Sequence, residues 1–485
     1  MLEAELLAGF PPEVPVAAAE VAAVVAADGR VLVVLDDDPT GTQSVADLPV
    51  LTRWEVDDLR WALEQGAPAF YVLTNTRSLD PAVAAERNRE VVTNALVAAE
   101  AAGVRVGFVS RSDSTLRGHY PLEPDVIAET LAQRAGTRTD AVVIVPAFPD
   151  AGRITVGGVH HTRGPGGTLV PVAETEFARD ATFGFSSSDL AAYVEEKSDG
   201  RFRADQVVRL DLGVIRGAES QADEIAARIA DALDTGLEGA VASTPVVVDV
   251  VTENDLRALA LGLAASERRG RSLLYRVGPP FVRARIGQEA RAPLTAAEAY
   301  AGTRPADGGG LVVVGSHVAQ TTRQLEVLTA EHPAAVVEIA VEALLGAGRE
   351  AELDRVVAAV TSALADRDVV LHTSRLLVRR DDATESLRIA RTVSAAVVEV
   401  VRRTLAERPP RFVVAKGGIT SSDVAAHGLE IRRALVRGPM LPGIVSLWSP
   451  VGGPAEGVPY VVFAGNVGDD RSLLDVVRVL TGTPA

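Results

Sequence analysis

The sequence predicts an α/β fold of two domains, each built on a largely parallel sheet flanked by helices. Short β-branched runs alternate with Ala-rich amphipathic segments along the chain, which is typical of parallel sheets. At 485 residues the chain is too long for one ordinary hydrophobic core. The segment 303–310 has the composition of a linker and separates two blocks of this alternation.

The predicted strands are apolar runs, each followed by a polar or glycine-containing turn. They cover residues 31–35, 70–74, 104–110, 141–146, 206–210 and 245–251, then 311–315, 336–339, 368–372, 411–415 and 459–463. We predict an N-terminal domain over 1–275, a linker or crossover over 276–310, and a C-terminal domain over 311–485. Ligands of open α/β sheets bind beyond the carboxyl ends of the strands, so the turns after the strands are the candidate binding segments.

Composition excludes several classes of function. The net charge of −17 gives no electrostatic support to nucleic-acid binding, and the lack of cysteine excludes disulfides, thiolate catalysis and Cys-ligated zinc. No apolar run is long enough to span a bilayer, and the acidic first thirty residues are unlike a secretory signal. We therefore expect a cytoplasmic protein with neither nucleic acid nor membrane as partner. Ala-rich helices can cover a core or a dimer face, so a homodimer stays open.

Three predicted strand ends of the N-terminal domain carry carboxylates and guanidiniums. Asp36, Asp37 and Asp38 are adjacent, whereas a capped turn needs only one Asp. Arg grips carboxylates bidentately, and Asp with hydroxyl groups suits a polyol, so these turns predict a pocket for a small polyhydroxylated acid. The residues of this predicted pocket are Asp37, Asp38, Arg77, Arg111, Asp113, Ser114 and Arg117.

Three glycine turns follow predicted strands of the C-terminal domain, at Gly315, at Gly417-Gly418 and at Gly465. Glycine permits close approach of the backbone to a ligand, and the N–H groups that open a helix attract anions. Lys416 is one of only two lysines, and its compact ammonium suits a phosphate. One such turn is an ordinary strand-to-helix connection, but three in one domain predict a nucleotide site. The chain has neither a GxxxxGK[ST] sequence nor a GxGxxG after its first strand, which excludes a P-loop and disfavours a dinucleotide site.

Seven segments together resemble one known family. DDDPTGTQS, TNTRS, SDSTLRG, PAFPDAGR, GSHVAQTTRQ, AKGGITSSD and FAGNVGD occur in the order found in the four-carbon acid sugar kinase family, from residue 31 to residue 475. The resemblance implies two α/β domains with an active-site cleft between them. It implies ATP-dependent phosphorylation of threonate, erythronate or an oxo-tetronate, with the acid on the N-terminal domain and ATP with Mg²⁺ on the C-terminal domain.

The resemblance also implies roles for residues. The catalytic pair falls on Asp37 and Asp38, and the substrate arginine falls on Arg77. We expect Asp37 or Asp38 to accept the hydroxyl proton, with Asp37 preferred on the motif alone, and Arg77 with Arg111 or Arg117 to bind the carboxylate. The metal ligands stay unassigned, and Asp469 is the one carboxylate that suggests itself. The chain departs from the family pattern at Pro39, Arg111 and Ile419, which leaves the acid unidentified. The nucleotide residues implied by the resemblance or by the glycine turns are Ser316, Lys416, Gly417, Gly418, Ile419, Thr420 and Gly465.

Two other functions stay open. Residues 36–40 fit the DxDxT nucleophile motif of haloacid-dehalogenase-type phosphohydrolases, and residues 72–75 fit their second motif. The later Lys and acidic pair of that family are not found at the required spacing. A non-catalytic sugar-acid binding protein is the other alternative, although it would have no use for the glycine turns after residue 310.

Overall fold

The computed structural model describes residues 2–38, 40–217, 220–301, 306–374 and 383–482, without the side chains of Pro165 and residues 383–387. Pro39 and residues 302–305 of the predicted linker therefore lie outside the described residues. The chain divides into two compact units, which are described separately. The first unit comprises Met1–Gly41 and Trp54–Ala290, and the second comprises Thr42–Arg53 and Arg291–Ala485.

The elements are numbered in chain order. The strands are β1 Arg30–Asp36, β2 Leu48–Leu51, β3 Ala69–Leu73, β4 Arg105–Arg111, β5 Ala141–Val145, β6 Arg153–Val156, β7 Val159–Arg163, β8 Leu169–Pro171, β9 Val208–Leu210, β10 Thr244–Val248, β11 Leu273–Val277, β12 Leu311–Val314, β13 Ala335–Ile339, β14 Val369–Thr373, β15 Val413–Lys416, β16 Arg433–Leu441, β17 Val445–Pro450 and β18 Tyr460–Phe463. The helices are α1 Glu3–Leu6, α2 Ala18–Asp28, α3 Val56–Glu64, α4 Pro81–Ala102, α5 Leu122–Ala135, α6 Leu190–Lys197, α7 Leu212–Arg216, α8 Ala222–Gly236, α9 Glu253–Arg268, α10 Pro280–Arg285, α11 Ala296–Ala299, α12 Ala319–Glu331, α13 Val341–Leu344, α14 Arg349–Ala363, α15 Ala383–Glu407, α16 Gly418–Asp423 and α17 Ser472–Thr481.

The first unit is built on a parallel sheet with the strand order β3-β1-β4-β11-β5-β10-β9. Its central strands are buried along their apolar runs, as expected for strands covered by helices on both faces. The chain leaves β1 for β3 on one side and then crosses to β4 on the other side. The carboxyl ends of β1 and β4 therefore form a topological switch point, where open α/β sheets bind ligands. Strands β6, β7 and β8 form a separate antiparallel sheet.

The second unit has the strand order β13-β14-β12-β15-β18-β17-β16-β2. Neighbouring strands pair in parallel through β13, β14, β12, β15 and β18. Strands β17, β16 and β2 then continue the sheet in antiparallel pairing. The core includes apolar residues of β12, β15 and β18 together with α17. The chain turns from β12 towards β13 and β14 on one side, then crosses to β15 on the other. A second switch point therefore lies at the carboxyl ends of β12 and β15.

The predicted α/β class with largely parallel sheets is confirmed, and every predicted strand overlaps an observed strand. Other strands were not predicted, namely β2, the β6–β8 sheet, β11, β16 and β17. The predicted boundary at residue 275 falls inside β11, whereas the first unit continues to Ala290. The apolar run of β11 is only a few residues long and contains Arg276, so periodicity gave a weak signal. Among the described residues, no helix combines the length and apolar character needed to cross a bilayer.

Candidate functional site

The switch point of the first unit gathers the acidic and guanidinium side chains that the sequence singled out. Asp36 at the end of β1 pairs in register with Leu73 of β3 and with Arg111 of β4. The segments that follow these three strands are therefore neighbours at one edge of the sheet. A 3₁₀ helix over Thr76–Ser78 begins three residues after β3 and carries Arg77.

Asp37 is buried and held by side chains from two neighbouring segments. Its Oδ1 accepts a hydrogen bond from Arg77 Nη2 at 2.6 Å, and its Oδ2 accepts one from Ser112 Oγ at 2.9 Å. Burial raises the pKa of Asp37 to about 6, with Arg77 opposing the rise and Glu123 adding to it. A carboxylate with this pKa is ionised at neutral pH and is more basic than an ordinary Asp, as a general base requires.

Arg77 bridges the neighbouring carboxylates. In addition to Asp37, its Nη1 lies 3.2 Å from Asp38 Oδ2 and 4.0 Å from Asp113 Oδ2. The side chains of Arg77 and Asp38 are 20% and 23% exposed, against 1% for Asp37. Arg77 and Asp38 are therefore accessible to a ligand, and Arg77 contacts the buried Asp37 carboxylate.

Arg111 and Asp36 form a buried ion pair. Arg111 Nη2 donates to Asp36 Oδ1 and, at 2.6 Å, to the backbone carbonyl of Asp38. A Cβ at Gly41 would collide with both partners, so glycine is needed for this close approach. In this arrangement Arg111 supports the acidic turn, and Arg117 is the better placed of the two for a ligand. The buried pairing of Asp36 also disfavours its use as the nucleophile of a phosphohydrolase.

Asp113 organises the loop after β4. Its Oδ2 accepts from Thr115 Oγ1 at 2.5 Å and from Arg117 Nε at 2.7 Å. Burial alone would raise the pKa of Asp113, but Arg77, Arg117 and these hydrogen bonds hold it well below its usual range. Asp113 is therefore a permanent anion. Arg117 is 28% exposed and lies over the ring of Phe177, so its guanidinium is both fixed and accessible.

Ser114 lies in the same loop as Arg117 but is buried. Its Oγ accepts a hydrogen bond from Arg153 Nη1 at 3.3 Å, and its carbonyl oxygen accepts one from His160 Nε2 at 2.8 Å. His160 Nδ1 lies 2.9 Å from Thr155 Oγ1. Burial lowers the pKa of His160 to about 4, so the ring is neutral and its role is to hold the loop.

The sequence did not single out Glu123 or Arg276, which lie directly behind this cluster. Arg276 Nη1 contacts Glu123 Oε2 at 2.5 Å, and Glu123 Oε1 accepts from Thr76 Oγ1 at 2.5 Å. Neither residue is next to a recognised motif, because Glu123 opens helix α5 and Arg276 lies within β11. An Arg inside an otherwise apolar strand was the one available signal.

In the second unit the switch point brings the three glycine turns together. Val314 of β12 pairs in register with Lys416 of β15, which pairs with Phe463 of β18. A Cβ at Gly465 would lie 2.7 Å from Ser316 Oγ, and a Cβ at Gly417 would lie 3.2 Å from Ser316 Cβ. Ser316 therefore lies against both of the other turns.

Thr420 completes the contacts among the turns. A Cβ at Gly315 would collide with its hydroxyl, and a Cβ at Gly417 would lie 3.1 Å from Thr420 Oγ1. Gly417 has φ 125°, a conformation that side chains rarely permit. The three turns are thus packed against one another through glycine, Ser316 and Thr420.

Lys416 is fully buried beneath these turns. Its Nζ donates to the carbonyl oxygen of Ala464 at 2.7 Å and lies 3.8 Å from the centroid of the Phe463 ring. Burial lowers the pKa of Lys416 to about 7. The amino group of Lys416, through its hydrogen bond to Ala464, fixes the residue before Gly465. A direct contact with phosphate, as the sequence suggested, stays a prediction.

Helix α12 fixes the rest of the turn after β18. Thr321 Oγ1 donates to the carbonyl of Gly465 at 2.8 Å, and buried Gln324 donates to the carbonyls of Val467 and Asp469 at 3.0 and 2.6 Å. Ile419, in contrast, is 67% exposed beside the glycine turns. Rigid backbone next to an exposed aliphatic side chain is suited to a ligand with both a charged and an apolar part.

The residues at the glycine turns fit a nucleotide. A Cβ at Gly418 would meet no atom within 4 Å, so the backbone there faces open space and can be approached closely. Within the described ranges, no group of three His, Cys, Asp or Glu side chains could hold a metal ion. Asp469, the one carboxylate that suggested a metal ligand, accepts hydrogen bonds from Ser472 Oγ and the Arg471 N–H. Mg²⁺ at nucleotide sites is usually held by one or two carboxylates together with phosphates and water, so a bound nucleotide and solvent would supply most of its ligands.

Two family models match the chain. The first, described as a sugar-binding N-terminal domain, matches residues 32–285. The second, described as a nucleotide-binding C-terminal domain, matches residues 311–473. The acidic and guanidinium cluster lies within the first match, and the glycine turns lie within the second.

The chain is also similar to individual proteins. The chain is 29% identical over 310 residues to a D-erythronate kinase from Heliobacterium modesticaldum, and the match covers 62% of this chain and 59% of that protein. The crystal structure of a Salmonella typhimurium protein called a putative tRNA synthase has a TM-score of 0.64 at 19% identity, over 92% of this chain and 98% of that one. A Haemophilus influenzae protein of the DUF1537 family has a TM-score of 0.61 at 17% identity, over 92% and 100%. At these identities the two structures establish the fold alone.

Proposed function

Because this chain belongs to the four-carbon acid sugar kinase family, we propose that it transfers the γ-phosphoryl group of ATP to a hydroxyl of a four-carbon sugar acid. The observation that carries the proposal is the set of side chains and turns that lie at the two switch points. One holds a basic carboxylate among accessible guanidiniums, and the other holds glycine turns with an exposed aliphatic neighbour. The D-erythronate kinase relative supports the choice of a tetronate.

Arg77 and Arg117 bind the substrate carboxylate in this proposal. Both guanidiniums are partly exposed and anchored by carboxylates, whereas Arg111 is buried against Asp36. Arg77 also donates to Asp37, so its recruitment to a substrate carboxylate would free one Asp37 oxygen. A substrate that lacks the carboxylate would leave Arg77 on Asp37.

Asp37 accepts the proton of the attacking hydroxyl in this proposal, and the oxygen then bonds to the γ-phosphorus while the bond to the ADP leaving group breaks. ATP supplies the phosphoryl group. Backbone N–H groups at Gly418 and Gly465 hold its phosphates, with Ser316 and Thr420 beside them. The Gly417 N–H, which the sequence also suggested, donates to the carbonyl of Phe463 at 2.8 Å and shapes the turn instead. Phosphoryl transfer of this kind depends on positioning and charge neutralisation more than on covalent catalysis. Lys416 contributes by fixing the Ala464 carbonyl.

The test is ADP release with ATP-Mg²⁺ over D- and L-threonate, D- and L-erythronate, and 2- and 3-oxo-tetronates. We expect turnover with at least one of these acids. Threitol and erythritol, which lack the carboxylate, should give no turnover because Arg77 would stay on Asp37. Glycerate tests chain length. Absence of ADP release with every tetronate, from enzyme that binds an ATP analogue, would contradict the proposal.

The same preparation separates the two alternatives. A phosphohydrolase would release inorganic phosphate from phosphorylated tetronates without ATP, and Asp36→Asn would abolish that activity. A non-catalytic binding protein would bind the acid in calorimetry but show no affinity for an ATP analogue. Size-exclusion chromatography with light scattering tests the homodimer, which we keep as an open proposal.

A further inference from the structure

A buried ion pair lies next to Asp37 and has no part in the proposed chemistry. Glu123 stands in the first turn of α5 and Arg276 stands in β11, and both side chains are buried. Arg276 Nη1 donates to Glu123 Oε2 at 2.5 Å and to Ser110 Oγ at 2.7 Å. Desolvating two charges offsets most of their attraction, so such a pair is weak evidence of a purely stabilising role.

Arg276 and Asp37 lie against the same side of Gly118. Gly118 has φ 122°, and a Cβ there would lie 2.8 Å from each of Arg276 Nη2, Asp37 Oδ2 and Ser112 Oγ. Glycine at this position therefore leaves room for the guanidinium and the carboxylate to crowd around one point. Ser112 Oγ also donates to Asp37 Oδ2, which links this group of atoms directly to the candidate base.

Glu123 holds the segment that carries Arg77, the other side chain that contacts Asp37. Its Oε1 accepts from Thr76 Oγ1 at 2.5 Å and from Asn88 Nδ2 at 3.3 Å. Thr76 is the first residue of the 3₁₀ helix that presents Arg77. Glu123 therefore anchors the backbone from which Arg77 reaches Asp37.

Charged groups lie near Asp37 on every segment packed around it. Asp36 and Asp38 flank it in sequence, Arg77 contacts it from the 3₁₀ helix, and Arg111 Nη2 lies 3.9 Å away on β4. Asp113 faces Arg77 from the loop after β4. Glu123 raises the pKa of Asp37 and Arg276 lowers it, in addition to the larger effects of burial and Arg77. The members of the pair thus act on one carboxylate in opposite directions.

We propose that Glu123 and Arg276 are positioning residues that together set the charge balance at Asp37 and the placement of Arg77. The inference rests on the proposed function, because it treats Asp37 as the group that accepts the substrate proton. Neither residue contacts the substrate. Glu123 acts on Arg77 through its hydrogen bond with Thr76, and Arg276 acts on Asp37 across the space above Gly118.

The experiment compares the acid limb of the kcat/KM–pH profile in single variants. Glu123→Gln removes a negative charge and should move the limb about 0.5–1 pH unit lower, while Arg276→Met removes a positive charge and should move it about as far higher. Arg276→Lys keeps the charge and should leave the limb in place. A merely structural pair would lower activity in both variants without moving the limbs in opposite directions, and that result would overturn the proposal.

Two further variants guard against loss of folding. Glu123→Gln/Arg276→Met removes both charges, so its limb should return to the wild-type position and its stability should exceed that of either single variant. The matched control is Asp255→Asn in the buried Arg216–Asp255 pair, whose atoms lie 2.8 Å apart in the same unit. It should lower stability with no shift of the limb. A shift as large as that in Glu123→Gln would count against the proposal.

A readout without turnover separates this inference from the proposed function. Carbon-13 labelling of the Asp side chains follows the Asp37 carboxyl by NMR, with Asp37→Asn identifying its resonance by difference. The titration midpoint should fall in Glu123→Gln and rise in Arg276→Met. If the wild type phosphorylates no tetronate but these shifts occur, the proposed function fails while the coupling stands. If a tetronate is phosphorylated but the two variants do not shift the midpoint in opposite directions, the inference about Glu123 and Arg276 fails and the proposed function stands.

Discussion

Asp37 and Asp249 are both buried carboxyl groups whose pKa burial raises to about 6, but their partners differ. Asp249 accepts from the backbone N–H groups of Gly157 and Gly158 at 2.7 and 2.8 Å, so its oxygens fix a turn. Asp37 accepts from side chains, one of which is the partly exposed Arg77. A side-chain partner can move to a substrate and leave the carboxylate available, whereas backbone partners cannot.

Asp37→Asn should lower kcat/KM by about 10²–10⁴-fold, which is the usual contribution of a general base. In the wild type, activity should fall as the pH drops through about 6, because Asp37 becomes protonated. Steady-state kinetics between pH 5 and 8 check both effects. Asp249→Asn is the matched control, and it should lower thermal stability while leaving the acid limb in place. An unchanged kcat/KM in Asp37→Asn would exclude Asp37 as the base.

Lys416 provides a second test at the residue scale, in the pH dependence of stability. Its pKa is lowered from 10.5 to about 7 by burial, so between these values the unfolded chain holds a proton that the native protein lacks. Stability therefore rises with pH across this window, by up to about 1.4 kcal/mol per pH unit. Lys416→Met removes this titration. Chemical denaturation of the wild type and the variant between pH 7 and 10 should show their difference in unfolding free energy growing in favour of the wild type. Lys197→Met is the control, and an equal trend there would contradict the assignment.

The element scale explains why glycine recurs after β12, β15 and β18. Parallel neighbours end at the same edge, so their turns pack against one another, and a Cβ at Gly315, Gly417 or Gly465 would press on Ser316 or Thr420. Gly418 is different, because its surroundings are open and its backbone has no positive φ. Its small size has no explanation in the packing of the free protein, which points to a ligand.

Gly418→Ala should leave the melting temperature of the free protein nearly unchanged and weaken binding of an ATP analogue about tenfold or more. The added methyl group finds space in the free protein but would occupy the position that a phosphate approaches. Differential scanning fluorimetry and isothermal titration measure the two effects. Gly346→Ala, at a glycine of the second unit whose added Cβ would meet only the Glu342 carbonyl oxygen at 4.0 Å, is the control and should change neither. Unaltered nucleotide affinity in Gly418→Ala would place the phosphates elsewhere.

At the scale of the whole molecule, a short segment from early in the chain completes the second unit. Residues 42–53 contribute β2, which pairs with β16. Thr42 Oγ1 accepts a hydrogen bond from the indole N–H of buried Trp448 at 3.0 Å. Without this segment a buried donor loses its partner, at a cost of about 1–3 kcal/mol, and β16 becomes an exposed edge. The second unit is therefore not continuous in sequence.

The fragment 291–485 should fold poorly alone and be stabilised by a peptide covering residues 42–53. Trp448 is the only tryptophan of this fragment, and the peptide has none, so fluorescence reports burial at the Thr42 contact. A blue shift with saturable binding is the expected result. A peptide with Thr42→Val should bind more weakly, because it cannot accept from the indole. A fragment that is already cooperative and unaffected by the peptide would contradict this account.

The sequence predicted the fold class and the position of many strands because buried parallel strands are continuous apolar runs with clear ends. It also predicted which strand ends carry polar or glycine turns. The missed elements had weaker patterns, such as β11 with Arg276 in its middle and β2, which is four residues long. The assignment of 1–275, 276–310 and 311–485 to acid binding, linker and nucleotide binding stays a prediction, as do the roles of the individual site residues.

The sequence by itself determined the chemical inventory: a run of carboxylates, several arginines and three glycine turns, each directly after a strand. Their grouping depended on strand order, because β3, β1 and β4 are neighbours in the first unit and β12, β15 and β18 are neighbours in the second. Tertiary structure alone decided which of these charges are accessible and which are buried against internal partners. Arg111, Arg117 and Lys416 were all predicted from the sequence to contact a ligand, but burial gives Arg111 and Lys416 internal partners and leaves Arg117 accessible. Desolvation and pairing depend on three-dimensional surroundings, which residue type and spacing do not specify.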